Sequence, residues 1–91
     1  MNQLEEARVI INEVDKEMAS LFEKRMKAVK EVIAYKMEND LPIYDESREK
    51  IVIEKNKEYI QDKELVSYYE DFLKYMMKVS KDYQKDIKEE K

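Results

Sequence analysis

Residues 3–38 read QLEEARVIINEVDKEMASLFEKRMKAVKEVIAYKME and contain neither glycine nor proline. Nothing in this stretch ends a helix, and Asn2 followed by Glu5 has the pattern of an N-terminal capping box. Positions seven residues apart repeat along it in two series, which are Leu4, Ile11, Met18, Arg25 and Val32, and Ala7, Val14, Leu21, Ala28 and Tyr35. Such heptad spacing is typical of a long helix that packs against other helices. We therefore predict a single helix that continues to about Glu38.

Two shorter helices are predicted after this first one. Asn39 is expected to take a left-handed C-terminal cap, and Pro42 prevents the first helix from continuing. Asp45 then caps a second helix of roughly 46–60, and a third helix follows a short polar stretch and runs to about residue 88. The expected inward-facing residues are Arg48, Ile51, Val52, Lys55 and Tyr59 on the second helix, and Leu65, Tyr69, Phe72, Met76, Val79 and Tyr83 on the third.

The composition favours one all-α domain, residues 1–91. The chain has no glycine and a single proline, so tight β-hairpins are disfavoured, and 44% of its residues are charged. Cysteine and histidine are absent, which excludes disulfides, thiolate chemistry, cysteine or histidine zinc sites and imidazole catalysis. We expect no metal and no cofactor.

Charge and hydropathy also restrict the partners. The net charge is −4 with lysines interspersed among acidic residues, whereas nucleic-acid binders more often carry a basic excess on one face. No apolar run approaches the roughly 20 residues of a membrane span, and the N-terminus lacks a signal-peptide core. We therefore expect a cytoplasmic protein that binds neither nucleic acid nor membrane.

The first helix is too long for a compact domain of this size. Thirty-six residues at about 1.5 Å each give about 54 Å, while a compact domain of this length has a radius of gyration of about 12 Å. Two shorter helices cannot cover its whole apolar seam. A second copy of the chain is the simplest cover, and we predict a homodimer in which the long helices pack against each other.

Arg25 and Lys36 point to an anionic ligand. They are eleven residues apart, close to three helical turns, so both lie on nearly the same face of the first helix. The flanking residues on that face are apolar, namely Phe22, Val29, Val32 and Ile33. Cations are seldom buried without a partner. We therefore expect an anion from outside the chain to bind between them.

Arg8 is a further candidate, although it cannot serve the same site from within one chain. It lies seventeen residues before Arg25 on the predicted helix, which separates the two by nearly five turns. In an antiparallel dimer, Arg8 of one subunit could reach Arg25 and Lys36 of the other. The alternative is an arginine that is simply solvated near the N-terminus.

The start of the second helix carries both structural and candidate binding residues. Asp45 suits an N-cap, and Glu49 suits the positive end of the helix dipole. Arg48 opposes that dipole, which favours a ligand carboxylate beside it.

Two neutral polar residues lie on an apolar face of the third helix. Ser80 and Gln84 are four residues apart and share a face with Leu73 and Met77. They are candidates for ligand contacts, and the alternative is that they bond only to the backbone or to each other.

Taken in order and with their spacing, these residues resemble the all-helical chorismate mutases of the small bacterial type. The resemblance covers nearly the whole chain. The matching positions are Arg8, Lys24-Arg25, Tyr35-Lys36, Leu41-Pro42-Ile43-Tyr44-Asp45, Arg48-Glu49 and Ser80 with Gln84.

The resemblance implies three helices per chain, entwined as a homodimer with two active sites. It implies an isomerase that rearranges chorismate to prephenate in phenylalanine and tyrosine biosynthesis. Lys36 and Gln84 would be the catalytic residues, donating to the ether oxygen of the breaking bond. The substrate-binding residues would be Arg8 of the partner subunit, Arg25, Arg48 and Ser80 at the carboxylates, and Glu49, with Asp45 beside it, at the ring hydroxyl.

Other functions are compatible with the same sequence. An isochorismate pyruvate-lyase, or a mutase acting on the amino analogue of chorismate, would have the same fold. A non-catalytic helical dimerisation module would explain the heptads and the charge. It would not explain Arg25, Lys36, Ser80 and Gln84 on apolar faces.

Overall fold

The computed structural model describes residues 1–90, which form three α-helices and no strand. Helix α1 is Gln3–Glu38, α2 is Glu46–Lys57 and α3 is Val66–Glu90, with a single 3₁₀ turn at Lys63–Leu65 before α3. The predicted all-helical class and the three helices are confirmed. None of these helices combines the length and the apolar character needed to cross a membrane.

Local hydrogen bonds explain where α1 begins and ends. At its start, Asn2 Oδ1 accepts from the backbone N–H of Glu5 at 2.9 Å, as the capping box predicts. At its end, the left-handed residue is Asp40, with φ 52°, and not Asn39 as predicted. Asn39 instead donates its side-chain amide and its backbone N–H to the carbonyl of Tyr35. The N–H of Leu41 then reaches back to the carbonyl of Lys36 at 2.8 Å, which closes a Schellman motif.

Helix α2 is three residues shorter than predicted. After Lys57 the backbone N–H groups of Tyr59 and Ile60 bond three residues back, to Asn56 and Lys57. Such bonds tighten the last turn and end the α-helical pattern. The cap at the other end is as predicted, because Asp45 Oδ1 accepts from the N–H of Arg48 at 3.1 Å.

Helix α3 lies between the other two elements and supplies most of the core. It packs against both α1 and α2. The buried apolar residues are Ile33 of α1 with Leu73 and Met77 of α3.

The buried faces of α2 and α3 differ from the predicted ones by about one residue. Leu73 is 1% exposed whereas Phe72 is 50% exposed, and Ile51 and Tyr59 of α2 are exposed as well. Helix α3 carries apolar residues on two adjacent faces, and hydropathy alone does not say which of them meets α1 and α2. The face that does so is Leu73, Met77, Ser80 and Gln84.

The molecule is elongated because α1 extends beyond the other helices. Its principal extents are 55 × 27 × 15 Å and its radius of gyration is 16.5 Å. Residues 1–24 are all exposed in the protomer. The seam residues Leu4, Ile11, Val14 and Leu21 are therefore uncovered in a single chain.

Candidate active site

A cavity of about 270 Å³ lies where the C-terminal half of α1, the first turns of α2 and the C-terminal half of α3 meet. Its apolar walls come from all three helices and include Val29, Val32, Val52 and Met77. Seven of the eight candidate site residues predicted from the sequence line this cavity. They are Arg25, Lys36, Asp45, Arg48, Glu49, Ser80 and Gln84.

Ser80 fixes the guanidinium of Arg25. Arg25 Nη1 donates to Ser80 Oγ at 2.5 Å, and Ser80 Oγ donates to the carbonyl of Met76 at 2.9 Å. Ser80 is only 6% exposed. The sequence left open that Ser80 bonds only to the backbone. A backbone bond is present, but Ser80 also accepts from Arg25, and the bond to Met76 orients its hydroxyl for this.

The guanidinium of Arg25 has an unfavourable electrostatic environment. Burial lowers the pKa of its guanidinium below the usual range, and the positive charge of Arg48 nearby lowers it further. Two cations that face the same cavity repel each other, and an anion placed between them removes that repulsion. The pair is therefore suited to a ligand with more than one negative charge.

Lys36 joins the loop before α2 to the site. Its Nζ donates to the carbonyl of Ile43 at 2.8 Å. An ammonium group has three donors, so this bond leaves two for a ligand acceptor. Because Lys36 and Arg25 lie three turns apart on α1, they reach opposite ends of the same cavity wall.

Gln84 has an unpaired polar atom in a nearly dry position. The side chain is 7% exposed, and Nε2 donates to the carbonyl of Ser80 at 3.3 Å. Its Oε1 has no hydrogen-bond partner among the described residues. Buried polar atoms are nearly always paired, so this one favours a ligand partner. In addition, Nε2 has a second N–H besides the one that bonds to Ser80, and this N–H can donate to an acceptor.

Asp45 is used first as a helix cap. Its Oδ1 accepts from the backbone of Arg48 and from the hydroxyl of Ser47 at 2.9 Å. The bond from Arg48 N–H lowers the pKa of the Asp45 carboxyl most, followed by the bond from Ser47. The positive charges of Lys36 and Arg48 lower the pKa further. The carboxylate is thus held ionised at the edge of the cavity.

Glu49 is paired with a lysine that sequence reasoning missed. Lys81 Nζ lies 3.1 Å from Glu49 Oε2 and 3.4 Å from Oε1, and Lys81 lines the same cavity. A signal for it was present in the sequence. Lys81 follows Met77 by four residues and precedes Gln84 by three, which puts it close to the same face of α3.

Arg8 is the one predicted site residue that does not line the cavity. It is exposed on α1, seventeen residues and nearly five helical turns before Arg25. Its contribution to a site shared between two subunits stays a prediction.

The charges that line the cavity set what it can bind. Four cations, Arg25, Lys36, Arg48 and Lys81, face two carboxylates, Asp45 and Glu49, so the formal balance is +2. Ion pairing with a dianion of moderate size is favoured on these grounds. Within residues 1–90, no group of three or more acidic side chains is arranged to hold a metal ion.

Comparison with known proteins identifies the family of the chain. Neither the curated proteins nor the solved structures gave a match to the chain. The model of one protein family, chorismate mutase type II, matches residues 7–85, a range that includes all eight predicted site residues. The chain belongs to the chorismate mutase type II family.

Proposed function

We propose that the protein is a chorismate mutase, which rearranges chorismate to prephenate and so supplies phenylalanine and tyrosine biosynthesis. The observation that carries the proposal is the convergence of seven predicted residues, from three separate helices and the loop before α2, on one cavity. Membership of the family agrees with it. The formal charge of +2 in the cavity matches a substrate with two carboxylates.

The rearrangement needs no covalent or proton-transfer step by a side chain. One C–O bond breaks while one C–C bond forms within the same molecule, so no nucleophile, proton shuttle or cofactor is required. The enzyme must hold the reacting carbons close together in a folded conformer. Arg25 and Arg48 suit this task, since each guanidinium can hold a carboxylate through two parallel hydrogen bonds.

Negative charge grows on the ether oxygen as its bond breaks. Fixed donors in a dry site stabilise such charge without reorganising. In our proposal Lys36 and Gln84 are these donors, and Glu49 accepts from the ring hydroxyl. The amide nitrogen of Gln84 has two N–H groups and donates only one of them to Ser80, which supports this assignment.

We further propose that the working form is a homodimer in which Arg8 of each subunit completes the site of the other. The exposed apolar seam of α1 supports a second chain as its cover, since burial of such surface contributes roughly 25 cal/mol per Å². The radius of gyration of 16.5 Å, well above that of a compact chain, supports the same arrangement.

Direct assay tests the proposed reaction. We expect loss of chorismate absorbance on addition of the protein, with prephenate identified by NMR. Parallel assays with isochorismate, in which salicylate would form, and with the amino analogue of chorismate separate the enzymes of the same fold. A thermal shift with a bicyclic mimic of the transition state separates an enzyme from a non-catalytic scaffold, which would not respond to it.

A further inference from the structure

Lys81 connects three segments of the candidate site. It projects from α3, its Nζ lies within 3.4 Å of both carboxylate oxygens of Glu49 on α2, and it lies 4.7 Å from the ring centroid of Tyr44 in the loop before α2. A cation at this distance from an aromatic face is attracted by it. The ammonium is therefore held from two sides.

We infer that Lys81 is a positioning residue, which holds and neutralises the Glu49 carboxylate so that a dianionic substrate can bind beside it. The inference rests on the proposed function, in which Glu49 accepts a hydrogen bond from the ring hydroxyl of chorismate. It adds a residue and a role that the sequence pattern did not predict.

Charge explains why Glu49 needs a partner. A carboxylate on the wall of a cavity that receives two further carboxylates raises the cost of binding, because like charges a few ångströms apart repel strongly in a half-buried site. Lys81 cancels this repulsion and leaves the outer lone pairs of Glu49 free to accept. Glu49 and Lys81 are both half-buried, so solvent screens their interaction only in part.

Geometry explains how the pair affects catalysis. The ring hydroxyl is on the carbon next to the one whose C–O bond breaks, but its own bonds stay intact, so we expect its contact with Glu49 to change little between the ground and transition states. Loss of such a contact raises KM and leaves kcat nearly unchanged. The effect of Lys81 is therefore expected on KM.

Kinetics of Lys81→Met and Lys81→Arg test the inference. We expect Lys81→Met to raise KM for chorismate about tenfold, which corresponds to about 1.4 kcal/mol, and to change kcat less than about threefold. Lys81→Arg keeps the charge and should restore KM to within about threefold of the wild type.

The matched control is Lys78→Met, one turn earlier on α3. Lys78 also pairs with a carboxylate, Asp82 at 2.9 Å, and also lies over a tyrosine ring, Tyr75 at 5.7 Å, but it does not line the cavity. Its loss should leave KM unchanged. An equal rise in KM for Lys78→Met and Lys81→Met would overturn the inference, since surface charge would then explain both.

Repeating the Lys81 substitution in a Glu49→Gln variant distinguishes a positioning role of Lys81 from direct contact between Lys81 and the substrate. In Glu49→Gln there is no carboxylate to neutralise, so adding Lys81→Met should raise KM less than about threefold there. A full tenfold rise in that background would mean that Lys81 contacts the substrate itself, and the inference would be wrong. If the wild type converts chorismate and Lys81→Met has the same KM as the wild type, the inference alone is overturned. If the wild type does not convert chorismate, the proposed function and the inference are overturned together.

Discussion

Lys36 is the side chain for which one substitution tests the proposed chemistry most directly. Its ammonium lies at the cavity wall, half-buried and bonded to the carbonyl of Ile43. We expect Lys36→Ala to lower kcat about 10²–10³-fold, by analogy with the loss of one donor to a developing oxyanion. Steady-state kinetics with chorismate measures this. Lys30→Ala, on an exposed position of the same helix, is the control, and near-normal turnover by Lys36→Ala would show that the role assigned to Lys36 is wrong.

Gln84 allows a test through pH. A neutral amide donates at every pH, so the wild type should show little pH dependence from this position. In Gln84→Glu the protonated carboxyl can donate, while the ionised form repels the charge that grows on the ether oxygen. We expect kcat/KM of this variant to fall as pH rises through the pKa of the new carboxyl. A flat profile for the variant would argue against contact between this side chain and the ether oxygen.

At the scale of single residues, helical spacing identified four of the eight polar residues that line the cavity, and the start of the second helix supplied three more. Polar groups on apolar helix faces need partners, and this predicted two pairs. They are Arg25 with Lys36, three turns apart, and Ser80 with Gln84, one turn apart. Spacing could not show that Ser80 bonds to Arg25, because that contact joins residues 55 apart in sequence. Lys81 was missed because a lysine on a highly charged chain is not conspicuous until its partner on another helix is known.

Asp45 sets the behaviour of helix α2 with pH. Its pKa is lowered below 3.8 in the folded chain, chiefly by the N–H of Arg48. A carboxyl whose pKa falls on folding adds stability above its unfolded pKa and loses it as pH falls through the folded value. We expect Asp45→Asn, which keeps a cap oxygen, to have a lower Tm than the wild type at neutral pH. The difference should vanish well below pH 3.8. A difference in Tm that is constant from neutral pH to acid would contradict this.

At the scale of the helices, the N-terminal ends of α1 and α2 were easier to predict than their C-terminal ends or the buried faces. An N-terminal cap depends only on residues that are close in sequence. Asn2 and Asp45 both accept the backbone hydrogen bond that was predicted for them. The C-terminal cap of α1 moved by one residue because Asn39 bonds to Tyr35 and leaves the left-handed position to Asp40. The inward face of α3 depends on which neighbour packs against it, so its hydropathy pattern alone was insufficient.

The shape of the whole molecule follows from the length of α1. A 36-residue helix without breaks was predicted from composition and caps, and the 55 Å extent of the molecule follows from it. The surface that would meet a second chain is also visible in the sequence as the heptad seam. How two chains cross is not encoded in one chain's local pattern, because the crossing depends on contacts between copies.

Mixing two inactive variants tests the proposed shared site. Arg8→Ala and Arg25→Ala should each be inactive, since each removes a carboxylate ligand from every site. A heterodimer of the two would have one site with both arginines and one with neither. After full subunit exchange, random pairing should restore about a quarter of wild-type activity, because half of the dimers would be mixed and each would carry one intact site.

The control for this experiment is a mixture of Arg25→Ala and Arg48→Ala. Both arginines line the cavity of their own chain, so no pairing of these two variants can rebuild a complete site. Recovery in the first mixture and none in the second would support exchange of Arg8 between subunits. If neither mixture recovers although exchange is verified by mass spectrometry, Arg8 does not act across subunits. Recovery in both would mean that the cavity residues are themselves divided between chains, and the single-chain site would have to be abandoned.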